Sequence, residues 1–313
     1  MKKLRISIVE YLNTAPLVWG FTEGPLEGKY DLSFTVPSEC AQALRRGDAD
    51  IAIIPSIEYL HMEDIVVLPE MAIAAKGEVR SILLVAKRPI EAAKRIALDT
   101  SSRTSTALVR ILAQERWNIR PEFTSAPPDA SEMLKQADAA LVIGDPALRI
   151  SLKLEALAAK PPGEECCQGD PEDMPVPGVE MLFVYDVAHE WREMTGKPCV
   201  MAVWAGRRGA VTPEVVADFQ ASKRYGLGRI REITEAASEK LDLPPRPLER
   251  YLNENINFDL DAENLAGLQL FFEKAAAMGL APRARVCGDG NGQHRGRRAL
   301  GFWFPLSTRG RKL

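Results

Sequence analysis

Side chains that carry the commonest site chemistry are scarce in this chain. Its 313 residues hold 5 cysteines and 3 histidines. Cys40, Cys166, Cys167, Cys199 and Cys287 are odd in number, two of them are adjacent, and none has metal-ligand spacing, so reduced thiols and no zinc site are expected. His61, His189 and His294 fall outside the polar turns, which argues against a histidine-based mechanism. Charge of one sign is also lacking: a net charge of -3 leaves no basic field to displace counterions, so nucleic acid is not an expected partner. No apolar run reaches membrane-spanning length. The basic start Met1-Lys2-Lys3 meets Glu10 and Asn13 without an apolar signal core, so it reads as a first strand, with a cytoplasmic location and no membrane partner expected. Gly288-Asp289-Gly290-Asn291-Gly292 lacks the Lys-Ser/Thr of a P-loop and so is not a nucleotide motif.

What is present is an ordinary globular composition, 46% hydrophobic and 27% charged, on a chain long enough for two lobes. The most informative stretch runs from Asp99 through Thr100, Ser101, Ser102, Arg103, Thr104 and Ser105, between the apolar Ile96-Ala97-Leu98 and an amphipathic segment. Ala107, Leu108, Ile111 and Leu112 repeat at helical spacing, so the hydroxyls stand where a helix begins and its first N–H groups lack partners. Those donors, the positive dipole end and Arg103 suit a carboxylate or a phosphate. A helix N-cap needs one such hydroxyl and leaves the others unexplained.

A weak repeat organises the chain. Cys40 to Leu44, Gly47 to Asp50, Ile51 to Ile54 and Pro55-Ser56 read as helix, turn, strand and turn. Ser131 to Lys135, Ala137-Asp138, Ala139 to Ile143 and Gly144-Asp145-Pro146 repeat that order, with Asp138 matching Asp50 and Ile96 matching Ile6. Short apolar strands alternating with helices predict two α/β lobes, each a mixed, mostly parallel sheet flanked by helices, with ligands beyond the carboxyl ends of the strands. Crossings between lobes are expected at Ser81 to Pro89 and at Pro198 to Trp204, which gives lobe 1 as residues 1–87 plus 198–281 and lobe 2 as 88–197. Ala158 to Pro177 reads as a surface excursion, Pro213 to Leu241 as helices, and a last helix should run from Ala262 to Met278-Gly279. Residues 282–313, with Arg283, Arg285, Arg295, Arg297, Arg298, Arg309, Arg311 and Lys312, read as a basic, mostly disordered tail.

Ile8 to Leu17, Ile54-Pro55-Ser56-Ile57-Glu58-Tyr59, Ser81 to Leu84, Ser102 to Ser105, Gly144-Asp145 and Pro198 to Trp204 form an ordered set of short segments. Over residues 4 to 280 that set resembles the chorismate dehydratases of the futalosine route to menaquinone. The resemblance implies a two-lobed periplasmic-binding-protein-like type II fold and the loss of water from chorismate to give 3-[(1-carboxyvinyl)oxy]benzoate. It implies no cofactor and no metal. Asn13 would be the leading catalytic residue, acting by orientation and polarisation because an amide does not titrate near neutral pH. Ser81 would be the second polar group at the reacting centre. Thr14 and Ser56 would bind substrate from one lobe, and Ser102, Arg103, Thr104 and Ser105, with Gly144 and Asp145, from the other. A monomer or homodimer that binds only its small substrate is expected.

The polar turns lack an obvious general base. Glu10, Glu58, Asp99 and Asp145 are available carboxylates, and a substrate carboxylate acting as the base fits the pattern equally. Two alternatives stand beside this reading. A 1,4-dihydroxy-6-naphthoate synthase-like enzyme would carry a Cys-Pro-Asn-Asp-like first turn where this chain has Asn13-Thr14-Ala15-Pro16. A non-catalytic binding protein for a small carboxylate would share the fold and normally needs a secretion signal.

Overall fold

The computed structural model describes residues 3–158, 176 and 182–282. The chain opens with β1 (Arg5–Val9), α1 (Ala15–Thr22), β2 (Asp31–Thr35), α2 (Pro37–Arg46), β3 (Ile51–Pro55) and the long β4 (Ile65–Ala75). There follow β5 (Ile82–Ala86), β6 (Arg95–Asp99), α3 (Thr104–Glu115), β7 (Glu122–Ala126), α4 (Ala130–Gln136), β8 (Ala139–Ile143), α5 (Gly144–Ala158), β9 (Phe183–Asp186) and α6 (Val187–Thr195). The chain then returns through β10 (Cys199–Arg207), α7 (Pro213–Leu227), α8 (Ile230–Leu241), α9 (Pro245–Arg250) and α10 (Ala262–Ala277). Every residue of β3, β5 and β8 is buried, as expected of short apolar strands covered on both faces.

These strands form two five-stranded sheets, ordered β2-β1-β3-β10-β4 and β7-β6-β8-β5-β9. The orders correspond position by position, so the repeat is real. Ile6 pairs with Ile51 in one sheet and Ile96 with Ala139 in the other. The matched aspartates do the same work. Arg5 N–H donates to Asp50 Oδ2 at 2.9 Å, Arg95 N–H donates to Asp138 Oδ2 at 3.1 Å, and each aspartate's own N–H returns to the arginine carbonyl.

The sheets are mixed and mostly parallel, as the sequence predicts. Four strands of each point the same way, whereas β10 and β5 run against them and pair antiparallel to both neighbours. These two are the strands on which the chain enters one sheet from the other. Ile82–Ala86 therefore belongs to the second sheet, on the far side of the boundary expected at 87/88. The crossing comes just before it, where Arg80 takes a left-handed φ of 61° and the N–H groups of Val79 and Arg80 converge on Asp186 Oδ2 at 3.0 and 2.6 Å.

The helices expected over 213–241 are α7 and α8. The last helix, α10, starts at its Asp261 cap, whose Oδ1 accepts from Asn264 N–H at 2.8 Å, and Gly279 with φ 71° follows its end. Of the expected surface excursion only Ala158 and the buried Val176 lie within the described residues, and the basic tail lies outside them beyond Pro282.

Candidate active site

The carboxyl ends of β1, β3 and β8 meet at a cleft between the sheets, open to solvent on one side and bounded by Val9, Pro55 and Ile143 at those strand ends. Asn13 enters it from a 3₁₀ turn, Leu12–Thr14, that follows β1 directly. The turn is closed by Thr14 N–H donating to the Tyr11 carbonyl at 2.9 Å, and is anchored across the cleft by Leu12 N–H donating to Asp145 Oδ1 at 3.0 Å. Ser81, 1% exposed, enters from the start of β5. Its carbonyl accepts from Gly144 N–H at 2.8 Å, and its Oγ accepts from the Tyr251 hydroxyl at 2.8 Å. That same phenol also meets the Asn13 side chain, so the two leading candidates share one buried partner.

The far wall is the N-terminus of α3. Ser102, Thr104 and Ser105 line the cleft there, and the N-cap residue Arg103 makes no side-chain capping bond among the described residues, so the first N–H groups and positive dipole end of the helix face an anion site. Behind that wall Asp99, 1% exposed, takes the N–H and hydroxyl of Ser101 on Oδ1 at 2.7 and 2.6 Å, and its buried Oδ2 has no hydrogen-bond partner among the described residues. Burial raises its pKa against the lowering effect of the Ser101 bonds.

Four expected contacts stand elsewhere. The Ser56 hydroxyl is turned into the first sheet, donating to the Val200 carbonyl at 2.7 Å. Thr14 and Asp145 line a second pocket behind the Asn13 turn, together with Trp19 and Leu241. Asp145 is committed to Leu12 N–H, and its burial pushes its pKa to about 6. Arg103 points out of the cleft, with Nε 3.6 Å from Oε1 of buried Glu58, which also pairs with Arg45. The guanidinium thus stands beside a carboxylate of the first lobe and is absent from the cleft lining. Gly144 does line the cleft, with φ 67°, and it makes room for a ring: a Cβ there would lie 2.6 Å from Tyr11.

Tyr11 and Tyr251 were not singled out by sequence reasoning. The Tyr11 ring lies against Gly144, and burial pushes its phenol up to about 12, so it enters the cleft as a proton donor. The local mark of Tyr251 is a π-helical turn, Tyr251–Asn255, a rare element that often accompanies functional sites but has no sequence signature. His61 and His189 are exposed and do not line the cleft, while His294 lies outside the described residues. Among the described residues no group of three His, Cys, Asp or Glu side chains is arranged to hold a metal, and the cleft lining carries no carboxylate, histidine or lysine.

The sequence model of a family described as menaquinone biosynthesis matches residues 4–277. The chorismate dehydratase of Thermus thermophilus is 32% identical over 282 residues, covering 90% of this chain and 97% of that protein. Among solved structures, a protein from Archaeoglobus fulgidus superposes with a TM-score of 0.65 at 18% identity, covering 89% of this chain and 98% of the other. The alkanesulfonate-binding protein of Xanthomonas axonopodis pv. citri, bound to MOPS, gives 0.59 at 17% identity, covering 90% and 94%. At these identities the two structures share the fold alone, that of the periplasmic binding proteins.

Proposed function

We propose, for a chain that belongs to the menaquinone biosynthesis family, that the cleft eliminates water from chorismate to give 3-[(1-carboxyvinyl)oxy]benzoate, a carbon–oxygen lyase reaction. The observation that carries the proposal is the convergence of Asn13 and Ser81, from different sheets, at one end of a cleft whose other wall is the N-terminus of α3. One substrate carboxylate would lie against Ser102, Thr104, Ser105 and the N–H groups of α3. This anchor sets the ring hydroxyl beside Asn13 and Ser81. As the C–O bond breaks, the Asn13 amide and the Ser81 hydroxyl donate to the departing oxygen, and loss of the neighbouring ring proton completes the aromatic ring.

With no carboxylate or imidazole among the described lining residues, the second substrate carboxylate is the group available to take that proton, which leaves with the hydroxide as water. A cytoplasmic location goes with this reading, because a biosynthetic enzyme meets its substrate where intermediates are made.

Incubation of the purified protein with chorismate, followed by ultraviolet absorbance and mass spectrometry, tests the reaction: an aromatic product lighter by one water is expected. Chorismate bound but unchanged would instead favour the carboxylate-binding reading that the shared fold accommodates. Asn13→Ala is expected to lower kcat by roughly a hundredfold to a thousandfold, as for loss of one preorganised donor, with the thermal midpoint little changed. Turnover near that of the unmodified protein removes Asn13 from the mechanism.

A further inference from the structure

Tyr251 is 1% exposed and lies outside the cleft lining, yet its hydroxyl stands 2.8 Å from Ser81 Oγ and meets the Asn13 side chain as well. We propose that Tyr251 is the positioning residue of the dehydration: by donating to Ser81 Oγ it fixes that hydroxyl so that the serine's own O–H bond turns into the cleft, toward the leaving oxygen.

A serine hydroxyl alone rotates among three staggered positions and can donate along any of them. Occupying one lone pair with a fixed donor removes that freedom, and the donated bond polarises the serine O–H, making it the better donor. Burial raises the phenol's pKa, so Tyr251 keeps its proton and acts as donor throughout the neutral range.

Both members of the pair are held from several sides. Beyond Tyr251, Asn257 exchanges backbone hydrogen bonds with Ala74 at the end of β4, at 2.9 and 2.7 Å, and Asn255 Nδ2 donates to the Glu78 carbonyl at 3.1 Å. Ser81 is held through its carbonyl by Gly144 and, one and two residues earlier, through the N–H groups that meet Asp186. A second bridge runs alongside. Arg80, immediately before Ser81, and Arg250, immediately before Tyr251, both pair with Glu155 of α5. The two segments are thus clamped together on either side of the hydroxyl pair. This is the support that a donor needs to keep its aim.

The proposal rests on the dehydratase reading, and the experiment separates the two. Steady-state kinetics with chorismate would be measured for the unmodified protein, Tyr251→Phe, Ser81→Ala and the double variant, with thermal midpoints for each. Tyr251→Phe is expected to lower kcat roughly tenfold to a hundredfold with KM within about threefold, and to have less than about a threefold effect in the Ser81→Ala background. Equal losses in both backgrounds, or no loss in either, overturn the proposal.

A crystal structure of Tyr251→Phe supplies a readout that needs no turnover: Ser81 Oγ is expected to leave its present position, and an unmoved Oγ overturns the proposal. An unmodified protein inert toward chorismate would defeat the dehydratase reading and leave that structural test standing. Should Tyr251→Phe fail to fold, 3-fluorotyrosine at 251 keeps the ring and strengthens the donor. A higher kcat at unchanged KM is then expected, and an unchanged kcat counts against the proposal.

Discussion

Asp145 is a carboxyl buried for its grip on one backbone N–H, and that burial raises its pKa from 3.8 to about 6. A carboxyl that binds its proton more tightly folded than unfolded adds stability below its unfolded pKa, and the contribution disappears as pH rises through the folded one. Stability should therefore fall by about 3 kcal/mol from this group between roughly pH 4 and 6, with the raised Asp99 and Asp186 acting in the same direction. Asp145→Asn is expected to flatten that part of the curve when thermal midpoints are followed from pH 4 to 7. An unchanged slope removes Asp145 as its cause.

Gly144, next to it, has no room for a side chain, because of its left-handed φ of 67° and because of the Tyr11 ring. Gly144→Ala should cost about 1–3 kcal/mol in stability and should weaken chorismate binding, by displacing Tyr11 from the cleft; calorimetry and titration check the two effects. Asn13, Ser81 and Gly144 were legible because they lie in short segments whose order resembles a family. Tyr251 was not: its partner is a serine 170 residues away in sequence, and proximity of that kind exists only after folding.

At the level of elements, α1 carries the Asn13 turn at its amino end and packs on α7 with almost no intervening side chain. A Cβ at Gly226 would lie 2.1 Å from the Pro16 carbonyl oxygen, and one at Gly20 would lie 2.6 Å from Ser222 Cα. Ser222 fastens the contact, donating to the Leu17 carbonyl at 2.9 Å and accepting from Gly20 N–H at 3.1 Å. Gly226→Ala would push α1 off its seat, at a cost of about 1–3 kcal/mol, and is expected to lower kcat because the Asn13 turn moves with the helix. A lowered melting point with normal kcat would show that the turn is held independently of α1. The repeat made the alternation of strands and helices readable, and the matched aspartates bear it out. It could not show that Ile82–Ala86 crosses over, because an apolar run is the same string whichever sheet buries it.

Across the whole molecule, the sheets are fastened together at the rim of the cleft. Ser38 N–H donates to the Ser101 carbonyl at 3.1 Å, Ile57 N–H to Thr104 Oγ1 at 3.3 Å, and Arg103 stands beside Glu58. Arg103→Ala should loosen this closed arrangement without touching the reacting groups, so a severalfold rise in KM with kcat near normal is expected. Steady-state kinetics and the radius of gyration in solution, with and without chorismate, check it. The sequence placed Arg103 at the right turn but gave its charge to the ligand, since Glu58 becomes its neighbour only when the lobes meet.

The two crossing strands also set an order in time. The second sheet is built from one uninterrupted stretch, β5 to β9, whereas the first is completed only when β10 slots in beside β3, pairing Ala202 with Pro55. A chain leaving the ribosome thus holds every strand of the second sheet before it has the last strand of the first. The later sheet in sequence is the earlier one to finish, and the newborn first half must wait with the β3 edge bare until the return strand emerges.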